Sequence, residues 1–148
     1  MEQDTETLLV KLDKEAEIPY LGWAVQSHTK QEPFIWDPTK VELFLHDKQT
    51  GAVNIDGTEL LKELAHLPVA NANMLDFLTR NIDLIPQEWQ KDEHGKNRQI
   101  YFWGTIYLGH GWAVSVRRLS FREGQWFSGQ LWTGNTWDST MPCVIIKP

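Results

Sequence analysis

The five histidines and the single cysteine are the residues of this chain whose side chains most often hold metals or act as nucleophiles. The histidines are His28, His46, His66, His94 and His110. None of them forms an HExxH pattern or another metal-ligand spacing, so no metal site is expected. His66 lies near Glu63 on a predicted helix and is expected to be structural. His110 stands in a Gly-His-Gly turn, where it is either a tolerated turn residue or a pH-sensitive contact at the tip of a sheet.

Cys143 follows a proline and precedes the apolar run Val144–Ile146, which predicts a small buried hydrophobe rather than a nucleophile. The sequence contains no nucleophile elbow, phosphate-binding loop or dinucleotide fingerprint. We therefore expect no catalytic residues and no cofactor. The alternative, an unrecognised small-molecule enzyme, requires a deep pocket with titratable groups of perturbed pKa.

The remaining chemistry is binding, and it concentrates in residues 99–137. Five of the eight tryptophans lie in this run: Trp103, Trp112, Trp126, Trp132 and Trp137. Arginines accompany them, and Trp, Tyr and Arg are the residue types enriched at protein-binding hot spots. The residues predicted to contact a protein partner are three stacking or anchoring tryptophans, Trp112, Trp132 and Trp137, and two charged residues, Arg117 and Arg118.

Other partners stay open for the same surface. Basic–aromatic mixtures also bind single-stranded nucleic acid, tryptophan rows stack on sugars, and a sheet edge can self-associate. The net charge of −6 argues against general DNA binding. Residues 1–93 hold 18 acidic and 8 basic residues, whereas residues 94–148 hold 2 and 6. The acidic part suggests a weaker alternative, mimicry of nucleic acid by Glu2, Asp4, Glu6, Asp13, Glu15 and Glu17.

Alternation of apolar side chains predicts three antiparallel strands joined by glycine turns within the Trp-rich run. The first, Gln99–Leu108, is apolar on both faces and is expected to be central. The second, Trp112–Phe121, changes its apolar parity across Arg117-Arg118, which predicts a bulge there. The third is Trp126–Trp132. A short last strand is expected within Cys143–Lys147.

The upstream segments predict helices mixed with short strands. Predicted helices cover Thr5–Glu15, the residues after an Asp56 cap with a leucine stripe, and the residues after an Asn71 or Asn73 cap. Predicted strands lie within Leu21–Gln26, Val41–His46 and Ala52–Ile55.

Strands and helices are segregated along the chain rather than alternating. This order predicts a single α+β domain over residues 1–148, with an antiparallel Trp-rich β-meander packed against two or three helices that cover one of its faces. The single cysteine favours a reducing compartment. The acidic start lacks the pattern of a signal peptide, and no apolar run approaches a membrane span, so a cytoplasmic location is expected.

Two stretches carry a resemblance to known sequences. They are PVANANMLDFLTRNIDLIPQEW at 68–89 and IYFWGTIY at 100–107, followed by the hairpin pattern with Trp126, Trp132 and Trp137. Together they resemble a family of small bacterial proteins without assigned function. The resemblance covers roughly two thirds of the chain, counting weaker matches near VELFL at 41–45. No activity is assigned to that family, so the resemblance supplies no catalytic residues.

Overall fold

The computed structural model describes residues 8–51 and 54–148. The helices are α1 (Asp47–Thr50), α2 (Gly57–Leu64) and α3 (Ala72–Arg80). The strands are β1 (Leu9–Val10), β2 (Ala24–His28), β3 (Phe34–Ile35), β4 (Val41–Phe44), β5 (Ile55–Asp56), β6 (Gln99–Tyr101), β7 (Thr105–Leu108), β8 (Val114–Arg122), β9 (Gln125–Trp132), β10 (Thr136–Trp137) and β11 (Cys143–Ile146). The predicted α+β class is confirmed.

The long strand β8 is the centre of a seven-stranded sheet. Along one side it pairs with β9 over its length without a break in register. Along the other side it pairs first with β7 and then with β6. Beyond β7 lies β2, and beyond β6 lie β11 and then β4, so the sheet divides into two branches. Two smaller pairs, β1 with β3 and β5 with β10, lie apart from it.

The expectation of a purely antiparallel sheet is wrong. Strand β11 runs parallel to β6, with Cys143 opposite Tyr101, and antiparallel to β4. The chain reaches β11 from β10 through residues 138–142, after leaving the meander, and this connection allows a parallel pairing that a hairpin does not. The meander of β7, β8 and β9 is antiparallel as predicted.

The predicted strand Gln99–Leu108 is interrupted in the middle. Six residue steps separate Tyr101 from Tyr107, but only three separate their partners on β8, Arg118 and Ser115. The extra residues lie at 102–104, between β6 and β7. The bulge predicted at Arg117-Arg118 is therefore wrong, because the irregularity belongs to the neighbouring strand and the β8–β9 register stays even.

The two longer helices cover opposite faces of the sheet, not one face as expected. Leu119 of β8 belongs to the core that contains α3, and Val116 belongs to the core that contains α2. Residues an odd number of positions apart on a strand point to opposite faces, so both faces of β8 are covered. The first core contains Val10, Leu12, Met74, Leu75, Leu78, Ile100, Phe102 and Val144. The second contains Leu60, Leu64, Tyr101, Trp103, Ile106, Trp137 and Ile145.

The N-terminal segment forms a strand where a helix was predicted. Within the described part of Thr5–Glu15, Val10 and Leu12 are fully buried while Lys11 between them is exposed. This alternation has the period of a strand, and β1 pairs with β3. The leucine spacing fits both periods over so short a segment, and the tertiary contact decides between them. Residues 5–7 lie outside the described residues.

Other local predictions are confirmed. Strand β4 lies within the predicted segment 41–46, and β11 lies within 143–147. The Asp56 carboxylate caps α2 by accepting a hydrogen bond from the backbone N–H of Thr58 (2.8 Å). Asn71 caps α3 through a side-chain bond from Asn73 N (3.1 Å). Ala52 and Val53 of the predicted return strand lie outside the described residues. The interpretation as one domain stays a prediction.

The interruption at 102–104 is the place where the chain leading into α3 meets the sheet. Gly104 N donates to Ala70 O (3.0 Å), and Gly104 O accepts from Thr29 N (2.8 Å). A Cβ on Gly104 would lie 2.7 Å from the backbone of Asn71, closer than real Cβ contacts. Only glycine allows this approach, which fixes where α3 sits on the sheet.

Gly104→Ala is expected to lower the free energy of unfolding by about 2 kcal/mol or more, because the clash is with backbone that cannot rotate away. Gly95→Ala is the control, since its Cβ would meet nothing within 4 Å and only its φ of +78° is unfavourable. A loss of about 1 kcal/mol is expected there. Urea unfolding of both variants measures the difference, and equal losses would contradict the close-approach argument.

Candidate functional site

One end of the sheet carries exposed aromatic and apolar side chains. At this end β2 and β8 begin and β7 and β9 end, as the pairings of Ala24 with Leu108 and Ser115 with Trp132 show. The exposed side chains belong to three chain segments that meet here. We call the set Tyr20, Leu21, Trp112 and Trp132 the aromatic end.

Trp112 is the most exposed tryptophan of the described residues, with 81% of its surface accessible. It lies in the turn between β7 and β8, where Gly109 N donates to Ala113 O (2.8 Å). Gly111 and Trp112 both have positive φ, 68° and 63°. Glycine adopts this conformation freely, but for a bulky residue such as tryptophan it is strained. The turn therefore exposes a large apolar side chain to water and requires a strained backbone conformation to do so.

Trp132 ends β9 and is 56% exposed. Its ring lies against Gly134, where any side chain would overlap it. Its carbonyl accepts from the backbone N–H and the side-chain amide of Asn135 (3.2 and 2.9 Å). Both contacts come from the turn after β9, which positions the ring at the end of the sheet.

The segment before β2 brings two further side chains to the same end. Tyr20 donates its hydroxyl to Gln130 Oε1 of β9 (2.8 Å). Its ring packs edge-on against Trp23 at 5.0 Å between centroids. Leu21 follows with 96% exposure. A shallow cavity of about 260 Å³ lies between this segment and the β7–β8 turn, and Trp112 lines it.

Tyr20 and Leu21 were not among the residues predicted to bind a partner. Nothing in their local pattern separates an exposed apolar residue from a buried one. Their exposure follows from the position of the segment at the end of the sheet, which depends on the pairing of β2 with β7.

Trp137 does not belong to the exposed end, and the prediction that it contacts a partner is wrong. It is fully buried. Its ring centroid lies 4.4 Å from that of Tyr101 and 4.9 Å from that of Trp103. The short pairing of β10 with β5 places it opposite Ile55. The glycine-rich segment around it suggested exposure, but this segment folds back onto the face covered by α2.

Arg117 is likewise turned inward, so its predicted role as a surface contact is wrong. Its Nη1 lies 2.9 Å from Asp76 Oδ1 of α3, and both side chains are about nine-tenths buried. Arg118, on the opposite face, is half-buried and donates to Gln99 Oε1 (2.8 Å) and to the Tyr101 hydroxyl (3.1 Å). Both arginines thus serve contacts within the chain.

A second group of charges surrounds Asp76. Burial raises the pKa of the Asp76 carboxyl, an effect that the Arg117 guanidinium opposes. Glu17, nearer the surface, accepts two hydrogen bonds from Arg80 (2.8 Å each), which lower the pKa of Glu17. Asp76 Oδ2 is buried without a hydrogen-bond partner. A shallow cavity of about 410 Å³, lined by these carboxylates and Arg80, opens beside the group.

One sequence pattern indicates the buried pair of Asp76 and Arg117. Asp76 lies in the run Met74–Leu78, and every other residue of that run is an apolar core residue. Arg117 follows the buried Val116 on β8 and shares a strand face with the buried Leu119. Two opposite charges within apolar runs of different elements suggest a buried pair.

Cys143 and His28 have structural surroundings within the chain. Cys143 is buried as predicted, and burial raises the pKa of its thiol to about 12. His28 bonds to Thr105 Oγ1 and to Lys14 O (2.8 Å each).

Among residues 8–51 and 54–148, no three His, Cys, Asp or Glu side chains come together as a metal site. No helix of this part of the chain is long and apolar enough to cross a bilayer.

Comparison with known proteins returned no match: no family model, no curated protein and no solved structure is similar to the chain. The resemblance to small bacterial proteins therefore stays a prediction.

Arg117→Met is expected to destabilise the protein by about 3–5 kcal/mol, because it leaves the Asp76 carboxylate buried without its partner. The double variant Asp76→Leu/Arg117→Met removes both charges and should recover most of this loss. The raised pKa of Asp76 means that the folded state holds its proton more tightly than the unfolded chain. Stability of Arg117→Met should therefore fall as the pH rises above about 4, the ordinary pKa of an aspartate carboxyl. Urea unfolding at a series of pH values from about 4 upward, with the double variant as the reference, checks the sign.

Proposed function

We propose that this chain is a non-enzymatic protein-binding domain whose aromatic end contacts a protein partner. The observation that carries the proposal is Trp112, a large apolar side chain that is 81% exposed on a strained backbone. Neither feature stabilises the isolated chain. Strain of this kind persists at sites where a side chain must be presented in one direction.

The neighbours of Trp112 support a contact surface. Trp132, Tyr20 and Leu21 are exposed at the same end of the sheet. Tryptophan and tyrosine are the usual anchors of protein interfaces, since they bury much surface and lose little rotamer freedom. The β8–β9 ladder that ends at Trp132 is regular and hydrogen-bonded, so it holds this side chain on a rigid base.

The nucleic-acid alternative has less support at this surface. It rested on Arg117, Arg118 and Arg122 as basic contacts. Arg117 and Arg118 are engaged with side chains of the chain itself. Arg122 is exposed but ends β8, away from the aromatic end, and its guanidinium lies over the Phe127 ring. The weaker idea of nucleic-acid mimicry rested partly on Glu2, Asp4 and Glu6, which lie outside the described residues. Of the others, Glu15 pairs with Lys30 and Glu17 with Arg80.

A small-molecule site is the second candidate, and the cavity beside Asp76 is the observation that favours it. A carboxyl of raised pKa beside one of lowered pKa is a common arrangement for acid–base chemistry. The cavity is open and its charges are largely paired within the chain. We therefore place it second. A cytoplasmic location is part of the proposal and rests on the single cysteine.

Trp112→Gly separates binding from folding. The change removes the ring and relieves the left-handed strain, so the free energy of unfolding should rise by up to about 1 kcal/mol while partner binding is lost. Glu123→Gly is the matched control, because Glu123 is the other non-glycine residue with positive φ in the described chain (54°) and lies at the opposite end of the sheet. It should stabilise the protein similarly and leave binding unchanged.

The measurement is affinity capture from lysate of the source cell after nuclease treatment, read by mass spectrometry, alongside urea unfolding of the purified variants. A protein retained stoichiometrically by wild type and Glu123→Gly, and lost with Trp112→Gly and Trp132→Ala, is the expected result. If all four proteins capture the same set, the aromatic end is not the binding surface.

A further inference from the structure

Strand β9 is an unprotected sheet edge. Within the described residues the sheet has three outer strands, β2, β4 and β9, and β9 is the longest. Free edges are normally guarded against pairing by charges, prolines, bulges or short length. Strand β2 has a register shift between Val25 and Ser27, and β4 is short and carries Glu42. Strand β9, QWFSGQLW, has eight residues, no charge, no proline and no bulge.

The free hydrogen-bonding groups of β9 can be assigned from its contacts with β8. Val114 O accepts from Thr133 N (2.8 Å), so position 114 faces the β9 side. The carbonyls of Ala113 and Arg117 point to the opposite side of β8, where they accept from Gly109 N and Phe102 N. The side to which the backbone groups point alternates from one residue to the next along an antiparallel strand, so Arg118, like Val114, points towards β9. Its partner Gly129 therefore directs its backbone groups inward to β8. Ser128 and Gln130 therefore present their N–H and C=O groups outward.

The sequence of β9 is self-complementary about Gly129. Reading outward in both directions gives a polar residue, then an apolar one, then tryptophan: Ser128 and Gln130, Phe127 and Leu131, Trp126 and Trp132. A two-fold axis normal to the sheet at Gly129 pairs each residue with its counterpart. The two members of each pair also lie on the same face, as antiparallel pairing requires.

We propose that β9 pairs antiparallel with β9 of a second copy of this chain, in the register that places Gly129 opposite Gly129. Ser128 and Gln130 of the two copies then exchange the main-chain bonds that the free edge leaves unmade. Trp132 packs beside Trp126 of the second copy, which covers part of its exposed ring. The absence of charge on β9 means that two identical strands meet without repulsion.

The self-pairing is independent of the protein-binding function proposed above. Trp112 is not part of β9 and belongs to the β7–β8 turn. Trp132 lies at the boundary of the two surfaces. The dimer is measured on purified protein, so failure of either proposal is seen separately.

A pair of double variants tests the register. In Ser128→Lys/Gln130→Lys, each new lysine faces a lysine of the second copy, and the dimer dissociation constant should rise by at least about tenfold. In Ser128→Lys/Gln130→Glu, each lysine faces a carboxylate in the same register, so the dimer should persist. The carboxylate introduced by Gln130→Glu also keeps an acceptor for the Tyr20 hydroxyl. Sedimentation equilibrium measures the dissociation constants, and thermal unfolding checks that both variants are folded.

A cysteine pair gives a second, positive readout. Directly opposed residues of a non-hydrogen-bonded pair have Cα atoms about 4.5 Å apart, within disulfide range. Gly129→Cys should therefore form an intermolecular disulfide under mild oxidation. Ser128→Cys should not, because the two copies of residue 128 are offset by two positions along the strands. The proposal is overturned if the wild-type protein is monomeric. It is also overturned if the two double variants have equal dissociation constants or are both monomeric. Equal cross-linking of Ser128→Cys and Gly129→Cys would overturn it as well.

Discussion

Strand β8 forms backbone hydrogen bonds with strands on both of its sides, and its residues pair in a different register on each side. The side that meets β9 is regular. The side that meets β6 and β7 holds three more residues than β8 can pair, at 102–104. This excess divides the sheet into two branches and brings Gly104 against the segment that starts α3. The position of α3, and with it the core on that face of the sheet, therefore depends on this mismatch.

The local parts of the fold were predictable from the sequence, and the long-range parts were not. The caps at Asp56 and Asn71 depend on residues close in sequence, so their patterns predicted them correctly. The parallel pairing of Cys143 with Tyr101 joins residues far apart in sequence, and no local period encodes it. The prediction for the segment around Val10 failed for a different reason. Its apolar spacing suits a helix or a strand, and only the partner β3 decides between them.

The candidate site shows why the number of Trp and Arg residues in a segment overestimates how many of them are exposed for binding. Three of the five predicted contact residues face inward or bond within the chain, namely Trp137, Arg117 and Arg118. A sheet with a core on each of its faces needs large apolar side chains in both cores, and most of the tryptophans are used there. The inward turn of Arg117 follows from Asp76, because a buried carboxylate needs a cation nearby. Trp112 and Trp132 remain exposed because they stand in or beside turns, where no helix or strand of residues 8–51 and 54–148 covers them.

The position of Cys143 has a consequence for following the motions of this sheet. It is the only thiol of the chain, it is buried, and its strand pairs with both β4 and β6. A thiol reagent can reach it only when β11 separates from its neighbours or the whole molecule opens. The rate of labelling of the unmodified protein therefore reports the opening free energy of one branch of the sheet. Because β7 and β2 form the other branch, comparison of that rate with global unfolding would show whether the two branches open together or one at a time.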